Sequence, residues 1–254
     1  MPVLFVGHGN PMNAITDNEY TEGWKKMAEK ITQPKAILCI SAHWLTQGTA
    51  VSMAEHPTTI HDFSGFPTEL SPVQYPALGA PEYAKMTIAA VKSIHIQEDF
   101  NWGLDHGVWS ILTKMYPQAN VPVFQLSIDA DKPPLHHFNL AKELRELRNK
   151  GVLILASGNI VHNLGILSWD GKIKSYDWAL EFDSFVKKNI LDDNPQALID
   201  YQSLGKLAAI AHPTNEHYLP LLYALGAKEK TDTVQFFNES FDLGSISMRC
   251  VMFG

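Results

Sequence analysis

The chain has 254 residues, 45% of them apolar and 19% charged, and a net charge of −7. That length suits one large α/β domain or two small ones, and the acidic balance argues against nucleic acid, whose phosphates demand a basic surface. No apolar run approaches the ~20 residues that cross a bilayer, and the opening MPVLFVGHGN has neither a basic leader nor a small-residue cleavage site, so the chain reads as cytoplasmic.

In chain order, residues 3–6 form the first short aliphatic run. Similar runs at 36–41, 121–128, 152–156, 233–238 and 245–253 read as strands, and those in the middle of the chain are apolar throughout, as expected for strands buried on both faces. Between them lie helical patterns. Pro81 sits at the start of PEYAKMTIAAVKSI, where a helix tolerates proline. HHFNLAKELRELRNKG spaces Leu140, Leu144 and Leu147 helically and stops at Gly151. DWALEFDSFVKKNIL sets Trp178, Phe182, Phe185 and Val186 on one face, and NEHYLPLLYALGA is a further helix with Glu216 and His217 in or near its first turn. Strands alternating with helices imply an α/β sandwich with a largely parallel or mixed sheet. The short SFDLG link between the last two strands predicts an antiparallel pair. EHPTTIHDFSGFPTELSPVQYPALGAP lacks periodicity and reads as a lid or substrate wall. Cys39 and Cys250, the two cysteines, lie inside apolar runs and read as buried free thiols of a reducing compartment.

Three apolar runs each deliver an imidazole: PVLFVGHG ends in His8, KAILCISAHW in His43, and VLILASGNIVH in His162. Ligands of open α/β sheets bind beyond the carboxyl ends of the strands, so these rings are expected on one rim. With His106 in LDHGVWS and His217 in TNEHY they form a set able to hold a divalent transition metal. Gly9 and Gly158 stand beside these histidines either to let backbone approach closely or to make tight turns. His56 and His95 read as surface residues, and His136 with His137 as solvated or capping residues at a helix start. Other chemistries lack their motifs. GHGNPM has two of three dinucleotide glycines and no closing acidic residue, no GxxxxGK[ST] loop exists, and ASGN is not a GxSxG elbow.

Taken together, GHGNPMNAI, SAHW, IHDFSGFP, DHGVWSIL, QLSID, ASGNIVHNL and NEHYLPLLYALGA resemble the LigB-like class III extradiol dioxygenases, most closely the 4,5-DOPA extradiol dioxygenase group. The resemblance spans essentially the whole chain. It implies one α/β domain over residues 1–254, with a central mixed sheet and a cleft at one edge. It makes His8 and His43 metal ligands, and in the DOPA-type group assigns His162 and His217 to the metal as well. The wider superfamily instead uses two histidines and a glutamate on Fe(II), which leaves Glu216 as a carboxylate ligand and His162 as acid/base. His8, His43 and His217 are the favoured ligands here, with His162 at or beside the metal. Asn215 departs from the proline expected in TPEH.

By the same resemblance His106 is a catalytic histidine close to the metal, with His106 or His162 taking a catechol proton. Asp105, beside His106, is read as orienting another group or, the favoured reading, as capping the following turn. His61 and Asp62 meet the substrate's amino-acid tail or make turn hydrogen bonds, and Phe63 and Phe66 wall an aromatic pocket or anchor the loop. The implied reaction is O2-dependent cleavage of a catechol such as L-DOPA to a muconic semialdehyde, with Fe(II) for activity and Zn(II) able to fill the site in purified protein. A zinc-dependent hydrolase and a non-catalytic paralogue that binds protein partners are the alternatives. Oligomeric state stays open.

Overall fold

Side-chain alternation along strand β1 (Val3–Gly7) decides the layering: Val3 and Phe5 enter one apolar cluster, Leu4 and Val6 the other. The computed structural model describes residues 1–254, and the same division recurs along the neighbouring strands. In β2 (Ala36–Ser41), Ala36, Leu38 and Ile40 face one side and Ile37 and Cys39 the other. A strand buried on both faces needs helices on both faces, and the chain supplies them.

After β1 come α1 (Glu19–Glu29) and β2, then the short strands β3 (Leu45–Thr46) and β4 (Thr49–Ser52). Next are α2 (Pro81–Ala90), β5 (Ile96–Asp99), α3 (His106–Met115), β6 (Val123–Gln125) and β7 (Ile128–Asp129). Helices α4 (Pro134–Glu143) and α5 (Arg145–Asn149) lead to β8 (Val152–Gly158). Then follow α6 (Asp177–Leu191), α7 (Pro195–Ile199), α8 (Lys206–Ala211) and α9 (Leu219–Ala227). The chain finishes with β9 (Val234–Phe237), β10 (Phe241–Asp242), β11 (Ile246–Ser247) and β12 (Cys250–Phe253).

The central sheet has the order β6-β2-β8-β1-β12-β9. The first four strands are mutually parallel, and β12 runs antiparallel to both β1 and β9, so the sheet is mixed as expected. The predicted helix over 177–191 and the proline start at Pro81 are both found, and Gly151 ends its helix with φ +90°. Cys39 and Cys250 are buried and unpaired. No helix is long and apolar enough to cross a membrane.

Two predicted strands are each broken in two. The run 121–128 leaves the central sheet after Gln125: Leu126 N makes the last bond to β2, at Cys39 O, and then Ser127 N donates to Ala50 O in β4 and Ile128 N to Trp44 O just before β3, drawing the chain away. The run 245–253 breaks at Met248, whose N–H turns to Ser240 O. His137 also differs from expectation. It is fully buried where α4 packs near α9, with Nδ1 3.1 Å from the Tyr223 hydroxyl and Nε2 3.3 Å from Lys132 O. A ring placed on the inner face of α4 finds partners in the core, not in water.

Candidate metal centre

Adjacent parallel strands end on the same side, so β1, β8 and β2 bring their C-terminal residues to one rim. His8 follows β1 directly, and its N–H donates to Gly158 O at the end of β8. Ala42 N donates to Ser157 O, which fixes the step from β2 to His43. His217 arrives from the other direction just before α9, and its carbonyl accepts from Asn159 N at 2.9 Å. Gly158 is required there, because a Cβ would stand 2.2 Å from His217 O. Gly9 serves the turn instead, with φ +59°.

The result is a cluster of five rings. Centroid distances are 4.9 Å for His8–His43, 5.2 Å for His8–His217, 5.0 Å for His43–His217, 3.9 Å for His43–His106 and 3.5 Å for His162–His217. One ring nitrogen from each of His8, His43 and His217 lies within 4.8 Å of the other two.

Hydrogen bonding decides which nitrogen each ring presents. The Ser157 hydroxyl has one hydrogen, which goes to Gly107 O at 2.5 Å, so at 2.9 Å from His8 Nδ1 it must accept. His8 therefore carries its proton on Nδ1 and bares Nε2. His217 Nδ1 lies 3.1 Å from Glu216 Oε1, and a carboxylate there likewise demands an Nδ1–H. His43 Nδ1 faces Asp62 Oδ2 at 3.3 Å. All three rings are inclined to stay neutral: burial first, then neighbouring imidazoles, holds the pKa of each below the ordinary histidine value.

These residues fit a metal ion. Two nitrogens bonded to one ion at about 2.0–2.1 Å stand roughly 2.9–3.4 Å apart for bond angles between about 90° and 109°. His8 Nε2 and His43 Nε2 are 3.1 Å apart. Both bare nitrogens point lone pairs into the same gap, an arrangement that a cation relieves. Three neutral imidazoles suit a divalent transition metal.

His162 lies outside this triad, in half-buried parallel stacking on His217 at an interplanar angle of 5°. Burial pushes its pKa down to about 4 against the opposing charge of Glu216. Glu216 Oε1 is taken by His217 Nδ1 and by the Thr214 hydroxyl at 2.8 Å, so the carboxylate backs the third imidazole. Asn215 accepts from Tyr218 N and Leu219 N, forming the turn into α9. His106 is the first residue of α3 and packs against His43.

The expected capping role of Asp105 is not found. Its Oδ1 accepts from the Ser41 hydroxyl at 2.6 Å, and burial raises its carboxyl pKa to about 6. Asp62 caps the helix from 44 positions away: Oδ1 accepts from His106 N at 2.9 Å while Oδ2 stands 3.0 Å from His106 Nδ1. Burial opposes ionisation of Asp62, but the His106 donors and His43 together hold its carboxyl below the usual range. His61 turns towards Phe63 and Trp109, with ring centroids 5.8 and 5.4 Å away. Phe63 sets its edge on His106 at 5.5 Å, and Phe66 lies behind Phe63 at 5.3 Å. His56 and His95 are exposed, as read from the sequence. Sequence reasoning missed Ser157 and His212. The latter is buried with Nε2 2.6 Å from Ile160 O, and no pattern in the chain marks either residue.

The family described as the catalytic LigB subunit of aromatic ring-opening dioxygenase matches residues 2–253. The 4,5-DOPA dioxygenase extradiol of Escherichia coli K12 is 43% identical over 258 residues, covering 100% of this chain and 95% of the relative. The 4,5-DOPA dioxygenase extradiol of Mirabilis jalapa is 36% identical, covering 93% of this chain and 90% of the relative. Among solved structures, that of an uncharacterized protein from Escherichia coli K12 matches with a TM-score of 0.87 and 40% identity over 100% of both chains. The histidine-lined rim and a match that runs from end to end agree: this chain belongs to the LigB family of aromatic ring-opening dioxygenases.

Proposed function

We propose that this chain, acting as one catalytic domain, is an extradiol dioxygenase that opens a catechol beside its diol to give a muconic semialdehyde. The carrying observation is that one ring nitrogen from each of His8, His43 and His217 lies within 4.8 Å of the other two, in a chain of the LigB family. L-DOPA is the first candidate substrate, from the names of the relatives.

His8, His43 and His217 would hold Fe(II), which when bound supplies the unpaired electrons that let triplet O2 react with a singlet catechol. Zinc, above iron in the affinity series, competes for the same donors during purification. The protein's own work is orientation and proton transfer. With Nδ1 turned to Asp62, His106 keeps Nε2 to accept the proton of a catechol hydroxyl. His162, kept neutral by burial beside His217, is the second proton carrier. The loop of His61, Phe63 and Phe66 walls the substrate side and keeps water from the ring, with Phe63 nearest the histidines.

Protein reconstituted anaerobically with Fe(II) is expected to consume O2 and form a yellow product with L-DOPA or another member of a catechol panel. His106→Gln is expected to lower kcat about 10²- to 10⁴-fold at unchanged metal content. Folded, Fe(II)-loaded protein that opens no catechol would falsify the reading.

A further inference from the structure

Asp62 sits in the long segment between β4 and α2, where the sequence suggested a contact with substrate or a turn. The structure gives its carboxylate three neighbours, all from the histidine cluster. Oδ1 accepts from His106 N at 2.9 Å, Oδ2 lies 3.0 Å from His106 Nδ1, and the same Oδ2 lies 3.3 Å from His43 Nδ1. The two rings it faces are themselves 3.9 Å apart between centroids. Only 19% of the Asp62 side chain is exposed.

The backbone next to Asp62 is anchored so as to hold this position. Ile60 N donates to Leu104 O and Leu104 N to Thr58 O, both at 2.7 Å, while Ile60 O accepts from the Trp109 indole at 2.8 Å. The segment just before Asp62 is thus tied both to Leu104, ahead of helix α3, and to Trp109 within it.

We infer that Asp62 is a positioning residue shared by two imidazoles of different role, fixing His43 for metal binding and His106 for proton transfer through one oxygen. The inference rests on the proposed function for the second role, but its first consequence is independent of catalysis. An ionised carboxylate has no proton to give, so both rings must carry their hydrogen on Nδ1 and present a bare Nε2. His43 then offers the nitrogen that faces His8, and His106 offers an acceptor. A ligand histidine ordinarily has its own acceptor behind it. Here one acceptor serves ligand and base together, so a shift of the loop disturbs both at once.

The test is Asp62→Asn in the full chain. This isosteric change keeps a carbonyl oxygen for His106 N but places an amide N–H₂ opposite the two Nδ1 atoms. Histidine side-chain ¹⁵N spectra of metal-free protein are expected to show Nδ1–H forms for His43 and His106 in the parent. In Asp62→Asn both should convert to Nε2–H. Zn(II) affinity, measured by chelator competition, is expected to fall about 10- to 100-fold. In iron-loaded protein kcat should fall about 10²- to 10⁴-fold with a smaller change in KM. Asp62→Ala, which removes the acceptor without supplying a donor, should give mixed tautomers and the same direction of loss. Retention of Nδ1–H on both rings in Asp62→Asn, or conversion of only one, overturns the shared role. If the parent protein opens no catechol, the dioxygenase reading fails, while the tautomer and zinc measurements still decide this inference.

Discussion

The Ser157 hydroxyl has a single hydrogen, and Gly107 O takes it. That commitment makes Ser157 a pure acceptor towards His8 Nδ1 and sets the tautomer of a candidate ligand. Ser157→Ala is therefore expected to leave the fold intact and lower divalent-metal affinity about 10- to 100-fold, readable by competition with a chelator. Asp105 gives a second prediction at this scale. Its buried carboxyl, shifted up to about 6, is ionised at pH 8 at a cost in stability, and its Oδ2 finds no hydrogen-bond partner. Asp105→Asn keeps an acceptor for Ser41 and removes the buried charge, so a higher Tm than the parent at pH 8 is expected in thermal melts, with the advantage shrinking below about pH 6 and gone only near pH 4, where the unfolded carboxyl is protonated too. The imidazoles were legible in the sequence because each of His8 and His43 closes an apolar run. Ser157, Asp62 and the true partner of Asp105 were not, because their partners lie 149, 44 and 64 positions away in the chain.

At the scale of elements, local pattern is readable where one face of an element meets water. Helix α6 alternates buried and exposed positions, and its ends were predicted to the residue. Helix α3 went unrecognised because His106 through Leu112 are all buried, which leaves no apolar stripe to detect. Helix α1 carried its signal in Asn18, whose side chain accepts from Thr21 N while Thr21 Oγ1 accepts from Asn18 N, a capping pair with threonine where glutamate is more familiar. The breaks in the predicted strands arise from hydrogen bonds to distant segments, which periodicity does not contain. The end of β8 supplies the prediction here. Gly158→Ala would drive a methyl into His217 O, so the turn before α9 must move. A destabilisation of about 1–3 kcal/mol is expected, with weakened metal binding, checked by denaturant titration and zinc competition on the same preparation.

For the whole molecule, alternating strands and helices were enough to give the α/β class, whereas the strand order was hidden because it depends on which distant runs pair. The buried histidines make stability depend on pH. Burial lowers His137, His162 and His212 to about 4 and holds His8, His43 and His217 below the ordinary value as well. In the unfolded chain each titrates near ~6.5. Above that pH neither state holds these protons, and the folded preference for neutral rings is fully expressed. As pH falls from about 6.5 towards 4 only the unfolded chain takes them up, so stability drops by up to about 1.4 kcal/mol per pH unit for each ring. Asp105 works the other way but is one group. Calorimetry of metal-free protein should show Tm decreasing from pH 7 to pH 5; a flat or rising Tm would contradict the buried neutral rings. Bound metal should delay the fall until the imidazoles are protonated and release it. Strand β1 has a further consequence, for biosynthesis. It is made well before its two neighbours, Val152–Gly158 and Cys250–Phe253, and the last of these slots inside the sheet between β1 and β9. The nascent polypeptide must carry a sticky, unpartnered segment through most of its elongation. Chaperone shielding of that segment is the natural corollary, and the candidate metal triad of His8, His43 and His217 is complete only once His217 has been made.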